Sequence, residues 1–263
     1  MDKLEEIREK IGNYDDAIME QLAARMGYVQ EMIAYKKEAG IPILEPEQER
    51  KQAERLKAKL VHPEFREEIL DVYKGIEKNS RKVQAKSLFD YNIFLIGFMG
   101  AGKSTVAGEL EEKLAMDRVE MDQMIVENQG MSIADIFDKY GENYFRDIES
   151  NTLIELQKSK QTIVSCGGGI VTREENADHM KKNGRIVFLT AKPETIYARV
   201  KNSKERPLLN GNMNVEYIAG LMDKRRARYE AVADVMVATD GKNATEICQD
   251  IISQLIQLDK KQV

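Results

Sequence analysis

The octapeptide Gly97-Phe-Met-Gly-Ala-Gly102-Lys103-Ser104 constrains this chain more than any other stretch. It has the spacing G-x-x-x-x-G-K-[ST], and its flanks supply the context that this spacing needs. The run Asn92-Ile-Phe-Leu-Ile-Gly97 reads as a strand leading in. Ser104-Thr-Val-Ala-Gly-Glu-Leu-Glu-Glu-Lys-Leu reads as a helix leading out. The glycines let backbone N–H groups surround phosphate oxygens at a helix N-terminus, where the dipole also favours anions. Gly100, Ala101, Gly102, Lys103, Ser104 and Thr105 are therefore expected to hold a nucleotide. Lys103 is expected to bridge the β- and γ-phosphates of ATP, and Ser104 to ligate Mg2+.

The alternation continues beyond this loop. Short strands are predicted near Val119–Met121, Thr162–Ser165, Arg185–Thr190 and Asp234–Ala238, with helices between them. Such a pattern specifies a five-stranded parallel sheet covered by helices on both faces. Ligands in these folds sit at the carboxyl ends of the strands. That rule selects Glu120 and Asp122 after the second strand, and Gly167-Gly-Gly169 after the third. Three consecutive glycines at a strand end imply that backbone approaches something closely.

The first ninety residues differ in kind. They carry 17 basic and 19 acidic residues but only four of the 17 glycines, which reads as helices without tight turns. The polar stretch Lys86–Asp90 separates the two regions, giving an all-helical domain over 1–88 and an α/β domain over 89–263. Leu4, Ile7, Ile11, Tyr14, Ile18, Leu22, Val29 and Ile33 form a helical stripe that nothing stops before Gly40-Ile-Pro42. A helix over about 3–39 is roughly 55 Å long. The rest of so small a domain cannot cover it, so a helical dimer is expected. A second helix is predicted from Glu45-Pro46 to about Leu60, and a third from Pro63 to about Lys86. Arg25 and Lys36 share a face of the first helix. Arg8 points about 100° away and is better placed for a site on a partner chain. Ser80 and Gln84 form an i, i+4 pair on the third helix.

Composition narrows the function. A net charge of −5 argues against broad nucleic-acid binding. No apolar run is long enough to span a bilayer, and MDKLEEIREK lacks a signal-peptide core. Cys166 and Cys248 make no disulfide framework, which points to a reducing cytoplasm, and His62 and His179 are assigned no role.

Over about residues 91–258 the chain resembles shikimate kinases. The resemblance rests on the phosphate loop, Asp122 with Ile125, Gly141-Glu-x-x-Phe-Arg146-x-x-Glu149, Ser165-Cys-Gly-Gly-Gly169, Arg206-Pro-Leu-Leu209, and Lys224-Arg225 before Tyr229. It implies transfer of the ATP γ-phosphoryl group to the 3-hydroxyl of shikimate. Arg146, Arg225 and the Gly168 backbone would hold the substrate, and Asp122 would orient its hydroxyls and accept the proton. Arg206, on a lid of about residues 201–213, would close over the phosphates, and Arg199 would stack on adenine. Glu120 stands where many members have an aspartate, and Ala227-Arg228 where Pro-Leu is usual. A kinase of the same fold acting on a sugar acid or a nucleotide is the alternative.

Residues 1–88 resemble the all-helical chorismate mutases. The matching positions are Ile7-Arg8-Glu9-Lys10-Ile11, Arg25, Lys36, Glu49-Arg50 and Ser80-x-x-x-Gln84. The resemblance implies an intertwined dimer of three-helix chains working without a cofactor. Arg8 of the partner, Arg25 and Lys36 would bind the carboxylates of chorismate. Lys36 and Gln84 would donate to the breaking ether oxygen, while Glu45, Glu49 and Ser80 would contact the ring hydroxyl and carboxylate region. Glu45 replaces the family's usual aspartate, and Gln48 stands where many members have arginine. The expectation is thus a fusion of two enzymes of aromatic amino-acid biosynthesis. The alternative makes the helical domain a weakly catalytic dimerising sensor of chorismate or prephenate.

Overall fold

The structure is a computed structural model that describes residues 2–59, 62–201 and 214–261. The chain forms two compact units that meet in sequence at Leu88 and Phe89.

The first unit is all helical. Helix α1 runs over Lys3–Ala39, α2 over Pro46–Lys59 and α3 over Arg66–Leu88, with a short 3₁₀ turn at Pro63–Phe65. Neither Gly12 nor Gly27 interrupts α1. It stops at Gly40, whose left-handed backbone (φ 68°) turns its N–H onto the Lys36 carbonyl. Helix α1 packs against α3 only in part. Val29 and Ile33 are buried, whereas Leu4, Ile7, Ile11, Tyr14 and Ile18 along the same helix are exposed. Helix α2 has no buried residue.

The second unit is built on strands β1 (Asn92–Ile96), β2 (Asp117–Glu120), β3 (Thr162–Ser165), β4 (Gly184–Thr190) and β5 (Val235–Ala238). All pair in parallel in the order β2-β3-β1-β4-β5. Ile93 pairs with Ile163 on one side and Arg185 on the other, so β1 is central and all five of its residues are buried. Parallel strands covered on both faces are buried at successive positions rather than alternating, which is how β1 and β3 read, with apolar centres and polar residues only at their ends. The connecting helices are α4 (Lys103–Leu114), α5 (Met121–Gln129), α6 (Ile133–Leu156), α7 (Glu175–Lys181), α8 (Pro193–Val200), α9 (Val215–Val232) and α10 (Ala244–Lys260).

One boundary departs from expectation. The second strand covers Asp117–Glu120 instead of Val119–Met121, and Met121 opens α5. Ala115 adopts a left-handed conformation (φ 51°), which ends α4 abruptly and lets the chain enter the sheet two residues early. Glu120 is therefore the last residue of β2, and Asp122 lies in the first turn of α5. Both stand at the carboxyl edge of the sheet.

Candidate active sites

The loop between β1 and α4 forms the floor of the first site. Gly100 has φ 78°, and a Cβ there would lie 2.6 Å from Val200 Cγ1, so both backbone angle and space require glycine. Lys103 Nζ donates to the carbonyls of Gly97 (2.9 Å) and Phe98 (3.2 Å), which folds its cation back over the loop. Ser104 Oγ donates to Glu120 Oε2 at 2.8 Å and lies 3.5 Å from Ser165 Oγ. A hydroxyl beside a carboxylate is an all-oxygen donor set, the kind a hard Mg2+ ion selects. The residues present thus fit that ion. Above the loop is a cavity of about 510 Å3, bordered by Gly100–Thr105, Asp122, Gly168, Arg199 and Thr239. Arg199 forms its far wall, donating to Gly100 O (3.1 Å) and to Thr239 Oγ1 (3.1 Å).

The triglycine turn forms the opposite wall. A Cβ on Gly167 would meet Glu149 Oε1 at 2.7 Å and Asp122 Oδ1 at 2.8 Å, and one on Gly169 would overlap the Arg146 guanidinium. Two of the three glycines are thus needed because carboxylates and a cation press on the backbone from α5 and α6. Gly168 contributes differently, through its carbonyl, which accepts from Arg225 Nη1 at 3.2 Å and from the Tyr229 hydroxyl. Arg225 and Tyr229 are one turn apart on α9 and so reach the same atom.

Arg146 is buried, with Nη1 on Glu149 Oε2 (2.7 Å) and Nη2 on Glu142 Oε1 (2.9 Å). Burial alone would lower its pKa, but the two carboxylates outweigh it and hold the guanidinium charged. Burial pushes the Glu149 carboxyl upward while Arg146 pulls the other way. Its Oε1 is buried without a hydrogen-bond partner among the described residues. Tyr229 stacks on Phe188 with centroids 4.9 Å apart, and burial raises its phenol to about 12 despite nearby Arg225. It is a neutral donor at any physiological pH.

The structure therefore brings Gly100, Ala101, Gly102, Lys103, Ser104, Thr105, Asp122, Gly168 and Arg199 to one cavity. Arg146 and Arg225 reach the triglycine turn on its wall. Arg206 lies outside the described residues. Glu149 and Tyr229 belong to the same group, although their motifs alone assigned them no task. Their spacing was the available signal, since each lies one helical turn after an arginine of the site.

In the helical unit, the first clasp joins α1 to α3, with Arg25 Nη1 donating to the buried Ser80 hydroxyl. The second joins α1 to the start of α2 through a Lys36–Glu45 ion pair, with Lys36 also reaching Ile43 O at 3.3 Å. Gln84 follows Ser80 by one turn and is half-buried. Glu49 and Arg8 are exposed on α2 and α1.

A parallel sheet with a glycine-rich phosphate loop, a lysine and a serine at the helix start, and acidic and cationic groups across the cleft define a P-loop small-molecule phosphotransferase. The chain belongs to the shikimate kinase family, and it carries a chorismate mutase domain at its N-terminal end. Residues 99–256 match the family model for shikimate kinase, and residues 7–85 that for chorismate mutase type II. The shikimate kinase of Persephonella marina is 42% identical over 164 residues, covering 62% of this chain and 98% of that protein. A shikimate kinase from Acinetobacter baumannii, solved in complex with shikimate, is 34% identical with a TM-score of 0.62, covering 67% of this chain and 98% of the other. The shikimate kinase of Aquifex aeolicus gives 37% identity and a TM-score of 0.55, over 62% and 95% of the two chains. The two domains make this a bifunctional enzyme of aromatic biosynthesis. The sensor-only and other-kinase alternatives give way to that reading, and the kinase family uses ATP and Mg2+.

Proposed function

We propose that shikimate binds with its carboxylate on Arg146 and Arg225 and its reacting hydroxyl toward Asp122, across the cavity from the phosphate loop. The observation that carries this is the convergence on Gly167–Gly169 of one carboxylate from α5, one arginine from α6 and one from α9. Arginine forks suit a ring carboxylate. Asp122 accepts the proton as the hydroxyl oxygen takes the phosphoryl group of ATP, and ADP leaves. Lys103 neutralises charge on the phosphates, its present carbonyl bonds being ones it exchanges for phosphate oxygens. Ser104, with Glu120 beside it, holds the metal side of the site. Mg2+, when bound, supplies charge neutralisation between the phosphate oxygens. Arg199, which lines the same cavity, stacks on adenine.

In the helical domain, Arg25 and Lys36 hold the chorismate carboxylates, Lys36 and Gln84 donate to the ether oxygen, and Glu45, Glu49 and Ser80 line the ring. The rearrangement needs no nucleophile or proton transfer. It needs a folded dianion and donors aimed at the oxygen that gains charge. Arg8 completes each site from a second copy, and the exposed row Leu4, Ile7, Ile11 and Ile18 forms the contact between copies. The free thiols suit the cytoplasm.

Both halves are tested on one preparation of the full chain, by ADP release with shikimate and ATP and by loss of chorismate absorbance. Activity on each substrate alone is expected. Indifference to shikimate, with activity on gluconate or a nucleoside monophosphate, would overturn the acceptor assignment. Mixing Arg8→Ala with Gln84→Ala chains should restore mutase activity. No recovery after verified subunit exchange would sink the shared site.

A further inference from the structure

We infer that Arg118 is a positioning residue for Glu120, holding its carboxylate against the Ser104 hydroxyl. The inference deepens the reading of Ser104 and Glu120 as the metal side of the kinase site and rests on it.

Four side chains form a linked row. Ser104 Oγ donates to Glu120 Oε2 at 2.8 Å, and Arg118 Nη1 donates to the other oxygen, Glu120 Oε1, at 3.0 Å. Arg118 Nε donates in turn to Glu111 Oε2 at 2.8 Å. Arg118 and Glu120 are two apart on β2 and so project from the same face of the strand. Ser104 and Glu111 are seven apart on α4, two turns along nearly the same line. Helix α4 lies beside β2, so the two pairs face each other. The guanidinium bridges Glu111 and Glu120 through two different nitrogens. That is a fork a lysine cannot supply.

The need for such a brace follows from the side chain it holds. Glutamate has one more rotatable bond than aspartate, and freezing it costs more conformational entropy. With Oε1 tethered to Arg118, Glu120 is left with its Oε2 directed at the Ser104 hydroxyl.

The test measures Mn2+ binding by calorimetry to the full-length enzyme saturated with ADP, alongside ADP binding without metal and the KM for shikimate. Arg118→Leu should weaken Mn2+ binding roughly three- to tenfold, the cost of re-ordering one long side chain. Metal-free ADP binding and the KM for shikimate should stay within about twofold, within the range of ordinary surface substitutions. Arg118→Lys should behave like Arg118→Leu, because charge is kept but the fork is lost. Adding Glu120→Asp to Arg118→Leu should restore binding, since the shorter arm needs no brace. A merely structural tether to Glu111 predicts no such rescue. Unchanged Mn2+ binding in Arg118→Leu, wild-type behaviour of Arg118→Lys, or failure of the double variant to recover each overturns the inference. Absence of Mn2+-dependent ADP binding in the unsubstituted enzyme would instead overturn the metal-side reading beneath it.

Discussion

The two units solve the problem of placing charge around a small acidic ring in opposite ways. In the sheet-bearing unit, every residue of β1 and β3 is buried. Side chains from α6, α8 and α9 are braced at the carboxyl edge of that layer by carboxylates, a hydroxyl or backbone carbonyls. Arg146 is held by Glu149 and Glu142, Arg225 by Gly168 O, and Arg199 by Gly100 and Thr239. In the helical unit, Leu4, Ile7, Ile11 and Ile18 stand 46–55% exposed, and an Arg25–Ser80 hydrogen bond and a Lys36–Glu45 ion pair draw site residues together. Most of the proposed kinase-site residues border one cavity of a single chain, whereas the proposed mutase site takes Arg8 from a second copy. A sheet brings distant segments together by pairing, while a single long helix can only spread its residues along 55 Å or so.

The largest effect expected from this contrast is confined to one unit. Asp122→Asn removes the proposed proton acceptor while keeping the shape of the side chain, and it should lower shikimate phosphorylation by about 10² to 10⁴-fold. ATP affinity and chorismate turnover should be unchanged in the same sample. Near-normal phosphorylation would remove Asp122 from that role, and a parallel fall in chorismate turnover would show that the sites are not separable.

Next in size is the mirror experiment. Lys36→Ala deletes the proposed donor to the ether oxygen and removes the Lys36–Glu45 ion pair. Chorismate rearrangement should drop by about 10² to 10³-fold, the usual cost of losing a donor at an oxygen that gains charge. Kinase rates serve as the internal control. A smaller effect falls on the turn behind Arg146, the proposed substrate arginine. A methyl group on Gly169 displaces the Arg146 guanidinium. Gly169→Ala should therefore raise the KM for shikimate roughly ten- to a hundredfold, as expected for loss of a charge-assisted hydrogen bond. The effect on ATP should be slight. If the KM for ATP rises equally, the triglycine turn shapes the phosphate loop rather than the acceptor pocket.

Those same residues show what a sequence makes legible. The phosphate loop could be read because its chemistry is local: eight consecutive residues carry the turn, the cation and the hydroxyl. The five-stranded parallel sheet could be read because apolar runs alternate with amphipathic helices. The start of β2 could not, because a left-handed Ala115 obeys no composition rule. Asp122, Arg146 and Arg225 could be named from motifs, but the role of Tyr229 depends on a carbonyl 61 positions away in the chain. The hold of Arg118 on Glu120 was equally hidden, since an arginine on an edge strand looks like ordinary surface until its two partners are seen. In the helical unit the long stripe was plain, and the exposure of its first half follows from counting what is available to cover it.

The smallest predicted effect separates the units by their unfolding. Both cysteines, Cys166 and Cys248, lie in the sheet-bearing unit, and both are buried. Burial raises both thiols, Cys248 to about 12 and Cys166 further. An unfolded thiol titrates near 8.5. At pH 8 the folded unit therefore presents almost no thiolate, and a disulfide reagent reacts only through opening of that unit. The sign of the pH effect follows. Between about 8.5 and 12 the unfolded chain loses these protons and the folded one keeps them, so stability of the sheet-bearing unit falls as pH rises through that window. The helical unit has no thiol. If its fold leans on a second copy, its loss of helical signal in urea should shift to lower denaturant on dilution, by mass action. Thiol exposure should report a separate transition that ignores protein concentration. Coincident, concentration-independent curves by circular dichroism and thiol titration would mean that the two units unfold as one and that the helical unit needs no partner.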